Sequence, residues 1–169
     1  MLVAERHIFF TAGPLRLEGQ LYLAPGPDAA IITHPHPLYG GEMSNPVVTT
    51  LAEVYQRLGY STLRFNFRGV GASGGDYDDG AGERDDVRAA AAYLIGLGKT
   101  VTDLAGYSFG AWVNLGLNPP LASVGRQVLI APPVVFLDFA PVAAPPAELV
   151  ALVGDQDRMA PLDRLRTLL

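Results

Sequence analysis

Cysteine is absent from this chain of 169 residues, which removes disulfides, thiol nucleophiles and thiolate metal sites together. Positive charge is scarce, with 12 Lys and Arg against 17 Asp and Glu and a net charge of -5. A surface that tracks nucleic acid or an anionic membrane needs clustered cations to displace counterions, so neither partner is expected. Histidine occurs only at His7, His34 and His36. No apolar run approaches the roughly 18 residues of a spanning helix, because the most apolar region, 132–153, is broken by Asp138, Glu148 and repeated prolines. The first residues, MLVAERHIFFTAG, hold no uninterrupted apolar stretch of signal type. These absences point to a soluble, cytoplasmic protein whose partner is a small molecule and which carries no metal or cofactor. Oligomeric state stays open at this level.

What is present is a core. Apolar residues make up 49% of the chain, enough for a single domain over 1–169. Leu15, Leu17, Gly19, Leu21 and Leu23 alternate with Arg16, Glu18, Gln20 and Tyr22 after a turn at Gly13-Pro14, the pattern of a hairpin spanning about residues 6–23. Ala29 to Thr33, Thr62 to Phe67, Val101 to Ala105, Gln127 to Ile130 and Leu149 to Val153 are short continuous apolar runs, as in strands buried on both faces. Between them lie helical patterns. Asn45-Pro46 reads as N-cap and first helical residue, with Val47, Leu51, Val54, Tyr55 and Leu58 on one face up to Gly59. Val87, Ala90, Ala91 and Leu94 form the stripe of a second helix whose start is crowded by Glu83, Asp85 and Asp86. Leu162, Leu165, Leu168 and Leu169 mark a last one, after a proline-rich connection at 132–147. Alternating strands and helices predict an α/β fold with a mainly parallel, doubly wound sheet.

The most informative stretch is Gly106-Tyr107-Ser108-Phe109-Gly110. It follows an apolar strand and runs straight into a helical segment containing Trp112, Val113 and Leu115. A serine at the apex of such a turn projects its hydroxyl above the sheet, while the flanking glycines permit close approach of strand and helix. Ser108 is therefore a candidate nucleophile, the alternative being a cap for the following helix. The N–H of Phe109, at the positive end of that helix, is placed to hold an oxyanion. A second donor is expected from the loop His34-Pro35-His36-Pro37-Leu38, where the two prolines have no N–H and leave His36 and Leu38. The imidazoles of His34 and His36 read as braces for this rigid loop, and their spacing is a weak metal signal. Gly154-Asp155-Gln156-Asp157 offers two carboxylates.

Gly69-Val70-Gly71-Ala72-Ser73-Gly74 nominally matches the dinucleotide fingerprint. No helix opens at its third glycine, however, and no strand ending in Asp or Glu follows at the required distance, so nucleotide binding is not expected. Asp76, Asp78 and Asp79 miss the calcium-loop spacing and read as a solvated loop.

Four segments in order, THPHPLYGG, RFNFRGVGASGG, AGYSFGA and GDQDRMAP, each at the carboxyl end of an expected strand, resemble the α/β-hydrolase superfamily and most nearly its small, lidless bacterial serine hydrolases. The resemblance implies an esterase or thioesterase type of chemistry through an acyl-enzyme on Ser108. It favours His36 over Leu38 as second oxyanion donor. The family's glycine, acid and proline pattern falls on Gly154, Asp157 and Pro161, making Asp157 the acid with Asp155 in reserve. Serine at the elbow disfavours the dehalogenase and dienelactone-hydrolase branches. The short 132–147 connection leaves little room for a helical lid, so an open, shallow pocket for small or flexible acyl groups is expected. The order of the family is serine, acid, then a histidine beyond one further strand. No histidine follows His36, so the last strand, its helix and the general base are expected to be missing from these 169 residues, as in a truncated chain. A pseudo-hydrolase that only binds small molecules is the alternative. His34 and His36 are disfavoured as substitute bases because their loop lies on the oxyanion side.

Overall fold

The hydrophobic pattern resolves into one mixed sheet. The computed structural model describes residues 4–139 and 146–168. Within them lie β1 (Arg6–Ala12), β2 (Leu15–Tyr22), β3 (Asp28–Thr33), β4 (Ser61–Phe65), β5 (Thr100–Tyr107), β6 (Arg126–Ile130) and β7 (Glu148–Leu152). Their spatial order is β1-β2-β4-β3-β5-β6-β7. The N-terminal hairpin is antiparallel, with Arg6 opposite Leu21 and Ala12 opposite Leu15, and β2 joins β4 antiparallel. From β4 onward every pairing is parallel. The expected hairpin and parallel strands are thus present, with ends displaced by at most two residues.

Helices cover both faces, as the alternation of strands and helices requires: α1 (Pro46–Arg57), α2 (Ala81–Gly96), α3 (Phe109–Leu115) and α4 (Leu162–Leu168). On β3, Ala29 and Ile31 join the larger core with Val87, Leu94, Leu104 and Val113 from the α2 and α3 side. Ala30 and Ile32 join Val48, Ala52 and Tyr55 under α1. This two-sided burial explains why β3 reads as a continuous apolar run, and each fully buried isoleucine contributes about 2 kcal/mol of transfer free energy.

The expected face of α1 needs correction. Asn45 does cap it, its Oδ1 accepting the Val47 N–H at 2.9 Å, and Tyr55 is buried as expected, but its buried companions against the sheet are Val48 and Ala52. Val54 and Leu58 are exposed. The row 47, 51, 54 and 58 instead borders an apolar groove over Val128, Ile130, Val150 and Leu152. Two adjacent rows of a helix can both be apolar, and periodicity alone does not say which one meets the sheet. Leu162 is exposed while Leu165 is buried. Leu169 and the 140–145 part of the proline-rich connection lie outside the described residues, and its described parts, 132–139 and 146–147, form no helix. No helix among the described residues is long and apolar enough to cross a membrane.

Candidate active site

The carboxyl ends of β3, β5 and β7 carry the residues singled out above. Ser108 sits between β5 and α3 with φ 53° and ψ -114°, a left-handed φ that a side chain rarely adopts and that costs on the order of 1–3 kcal/mol. The surroundings enforce it. Ser108 N–H donates to the Ile130 carbonyl at 2.8 Å, and the Ser108 carbonyl accepts from Ala111 at 3.0 Å and Trp112 at 3.3 Å. Its hydroxyl makes no capping bond to α3, which removes the helix-cap explanation for the serine. A Cβ on Gly110 would stand 2.6 Å from Thr33 Oγ1, 2.7 Å from the Thr33 carbonyl and 2.8 Å from that of His34. The turn therefore packs directly against the loop that follows β3.

In that loop His34 is fully buried. Its Nδ1–H donates to the Pro35 carbonyl at 2.6 Å and its Nε2 accepts the Phe67 N–H at 3.0 Å. Both ring nitrogens are committed, so His34 braces the loop against the end of β4. Burial pushes its pKa down to about 4, against a smaller upward pull from the Pro35 carbonyl. In the unfolded chain the ring binds a proton near 6.5. Stability from neutral His34 is therefore complete above that pH and is lost as pH falls toward 4, by up to about 3 kcal/mol. Urea midpoints at pH 7 and 4.5 check this: the acid-induced fall is expected to be smaller in His34→Gln, which has nothing to titrate there.

His36 is half-buried. Its Nδ1 accepts the Leu38 N–H at 3.2 Å, its Nε2 lies 3.2 Å from the Tyr77 hydroxyl, and its ring centroid is 4.8 Å from that of Phe109. Burial lowers its pKa, while the charges of Glu83 and Asp79 pull it up. The two proposed oxyanion residues, His36 and Phe109, are thus neighbours. Phe109 is the first residue of α3, and the N–H of a first helical residue has no partner inside the helix.

Asp157 is half-buried at the end of β7, and Asp155 is exposed. Asp157 Oδ1 accepts from the N–H of Met159 at 2.8 Å and of Ala160 at 3.2 Å, so one oxygen closes the local turn. The strands bearing Ser108 and Asp157 are separated by β6. None of the three histidines hydrogen-bonds to either residue: His34 and His36 are engaged as above, and His7 pairs with Glu18 at 2.9 Å, on the hairpin at the other side of the sheet.

The glycine-rich turn after β4 is tied to β2. The Glu18 carboxylate accepts from the Ala72 N–H at 2.8 Å and Asn66 Nδ2 at 2.9 Å, and Gly74 N–H donates to the Arg16 carbonyl at 2.9 Å. Burial raises the Glu18 pKa, but the bonds from Ala72, His7 and Asn66 outweigh it and leave it lowered. A buried-edge carboxylate under the loop is the reverse of what a phosphate cradle needs. No group of His, Asp or Glu able to hold a metal occurs among the described residues. The acidic loop that follows is more ordered than its composition suggests. The fully buried Glu83 accepts from the N–H groups of Asp78 at 3.0 Å and Gly80 at 2.7 Å, and Arg68 bridges Asp86 at 2.8 Å. Tyr77, delivered by this loop to His36, is the site neighbour that sequence reasoning does not place. An aromatic ring inside a run of aspartates is the signal that could have found it.

A strained serine turn at the carboxyl edge of a parallel sheet, with an antiparallel hairpin leading in, defines the α/β-hydrolase architecture. The chain belongs to the alpha/beta hydrolase family, whose model matches residues 16–168. An uncharacterised protein of Rickettsia prowazekii is 36% identical over 168 residues, covering 95% of this chain and 71% of that one. Among solved structures, an alpha-beta serine hydrolase homologue from Coxiella burnetii is 34% identical with a TM-score of 0.83, covering 99% of this chain and 82% of that one. A serine hydrolase without a lid from Xanthomonas campestris is 35% identical with a TM-score of 0.85, covering 99% and 78%.

Proposed function

We propose that the protein is a serine hydrolase of the esterase or thioesterase type, acting in the cytoplasm on a small acyl ester or related substrate without a cofactor. The observation that carries this reading is Ser108, held at φ 53° with its hydroxyl unused by the helix it precedes. Ser108 Oγ attacks the acyl carbon, and its proton passes to an imidazole that lies outside these 169 residues and is oriented by Asp157. The N–H groups of His36 and Phe109 hold the oxyanion. Collapse of the tetrahedral adduct expels the alcohol or thiol, which takes that proton. Water, deprotonated by the same base, then attacks the acyl-serine, releasing the acid and restoring Ser108. An open site suits small or flexible acyl groups.

The fluorophosphonate reaction tests the nucleophile directly. Intact mass of the full-length protein is expected to rise by one adduct, mapped to Ser108 and lost in Ser108→Ala. A folded, full-length protein that takes up no label would favour the second reading, a small-molecule binding protein on a hydrolase scaffold. That reading is motivated by the placement of His7, His34 and His36, none of which reaches Ser108 or Asp157.

A further inference from the structure

The His36 imidazole is held by more than its own loop. A backbone N–H can only donate, so the bond from Leu38 N–H leaves Nδ1 bare. In a neutral ring the proton then sits on Nε2, which donates to the Tyr77 hydroxyl oxygen at 3.2 Å. The Tyr77 hydroxyl proton is thereby left free, on the side where the Asp79 charge acts on it. Each of these groups has one direction in which it can donate, and the directions agree from Leu38 through His36 to Tyr77.

The scaffold around this row is rigid. The His36 ring lies 4.7 Å from Tyr39, 5.1 Å from Tyr77 and 4.8 Å from Phe109, centroid to centroid. Asp79 adopts φ 48°, in the left-handed region, and the next residue, Gly80, has φ 87°. Glu83 fixes both neighbours of Asp79 through the N–H groups of Asp78 and Gly80. A non-glycine residue kept in a strained conformation by a fully buried carboxylate is a sign that its placement matters. A loop that only solvated its aspartates would need none of this.

We propose that Tyr77 is a positioning residue that holds the oxyanion loop in register through the His36 imidazole. The role rests on the hydrolase reading above. Because Leu38 N–H is occupied by Nδ1, and Pro35 and Pro37 have none, the relay leaves the His36 N–H as the local donor for an oxyanion. Without the Tyr77 hydroxyl only the Leu38 N–H, on an exposed turn, still favours the Nε2–H form, and the preference weakens. The other tautomer, or a protonated ring, sets an N–H against the Leu38 N–H and opens the turn. The groups facing this ring are Tyr39 from its own turn, Phe109 from α3, and Tyr77, Asp79 and Glu83 from the acidic loop and α2. Tyr77 stays protonated throughout the working range, since burial first and the Asp79 charge next push its pKa up to about 12.

Two readouts on the full-length protein test this. Long-range proton–nitrogen NMR of the imidazoles is expected to show His36 in the Nε2–H form alone, and to show a mixture of tautomers in Tyr77→Phe. With p-nitrophenyl butyrate, Tyr77→Phe is expected to lower kcat about 10- to 100-fold with KM changed less than about twofold, since the oxyanion exists only in the transition state. Asp76→Asn, which removes a charge next to Tyr77 in sequence, is expected to leave both readouts alone. Unfolding midpoints confirm that each variant is folded. A single unchanged tautomer in Tyr77→Phe, or an unchanged kcat in protein whose Ser108 takes the fluorophosphonate label, overturns the relay. A wild-type protein with the expected tautomer but no label overturns the hydrolase reading instead.

Discussion

The substitution Asp157→Asn is expected to lower kcat in the full-length hydrolase by about ten-thousandfold, with little change in KM, while Asp155→Asn costs less than about threefold. Asp157 Oδ1 is occupied by the N–H groups of Met159 and Ala160. An asparagine keeps that turn through its own oxygen, so the fold has no cause to change. The second position is what differs. On the mechanism proposed above, a carboxylate oxygen there accepts from the Nδ1–H of an imidazole, whereas an amide NH2 repels it and leaves the ring in the tautomer that cannot take the serine proton. The loss falls on the chemical step, which is why kcat carries it. Asp155, exposed at the tip of the same turn, has no comparable anchor. Steady-state rates with p-nitrophenyl butyrate decide the matter, and a larger loss at Asp155 than at Asp157 would transfer the acid role.

The sequence displays its fold where physics is local and hides it where several solutions are equally good locally. Asn45-Pro46 starts α1 because a capping amide and a ring-fixed φ act within three residues. The alternation through Leu15, Leu17 and Leu21 finds β2 because a strand has only two faces. The choice of buried row on α1 is not local: rows 48, 52, 55 and 47, 51, 54, 58 are both apolar, and the way α1 lies across β3, β4 and β5 decides between them. Strand order is not local either, since nothing in the runs themselves places β4 between β2 and β3. The same division runs through the site. Ser108 is legible because a glycine on each side of a turn is a short-range requirement. Glu83 and Asp86 read as dipole-complementing charges at a helix start, yet both are fully buried and hold the acidic loop and Arg68. Tyr77 stays hidden because its partner, His36, lies 41 residues earlier, on a different loop.

Gly106→Ala is expected to destabilise the protein by at least about 3 kcal/mol, the upper range for single substitutions, or to prevent folding, although it adds only one methyl group. A Cβ on Gly106 would fall on Ala111 N, Ala111 Cα and the Gly110 carbonyl carbon. All three are backbone atoms of α3, so no side chain can swing aside and the helix itself must move. Moving α3 breaks the bond from Ser108 N–H to Ile130 or the bonds that Ala111 and Trp112 make to the Ser108 carbonyl, and these are what hold φ of Ser108 at 53°. Gly96→Ala is the matching control. It ends α2, and its Cβ would meet nothing within 4 Å, so alanine's better helix propensity is expected to leave stability unchanged or to raise it by up to about 1 kcal/mol. Urea midpoints for the two variants measure the difference, and any refolded Gly106→Ala is expected to lose fluorophosphonate labelling along with stability. A loss below about 1 kcal/mol would mean that strand and helix are not in the contact described, and that something other than this glycine sets the serine's backbone.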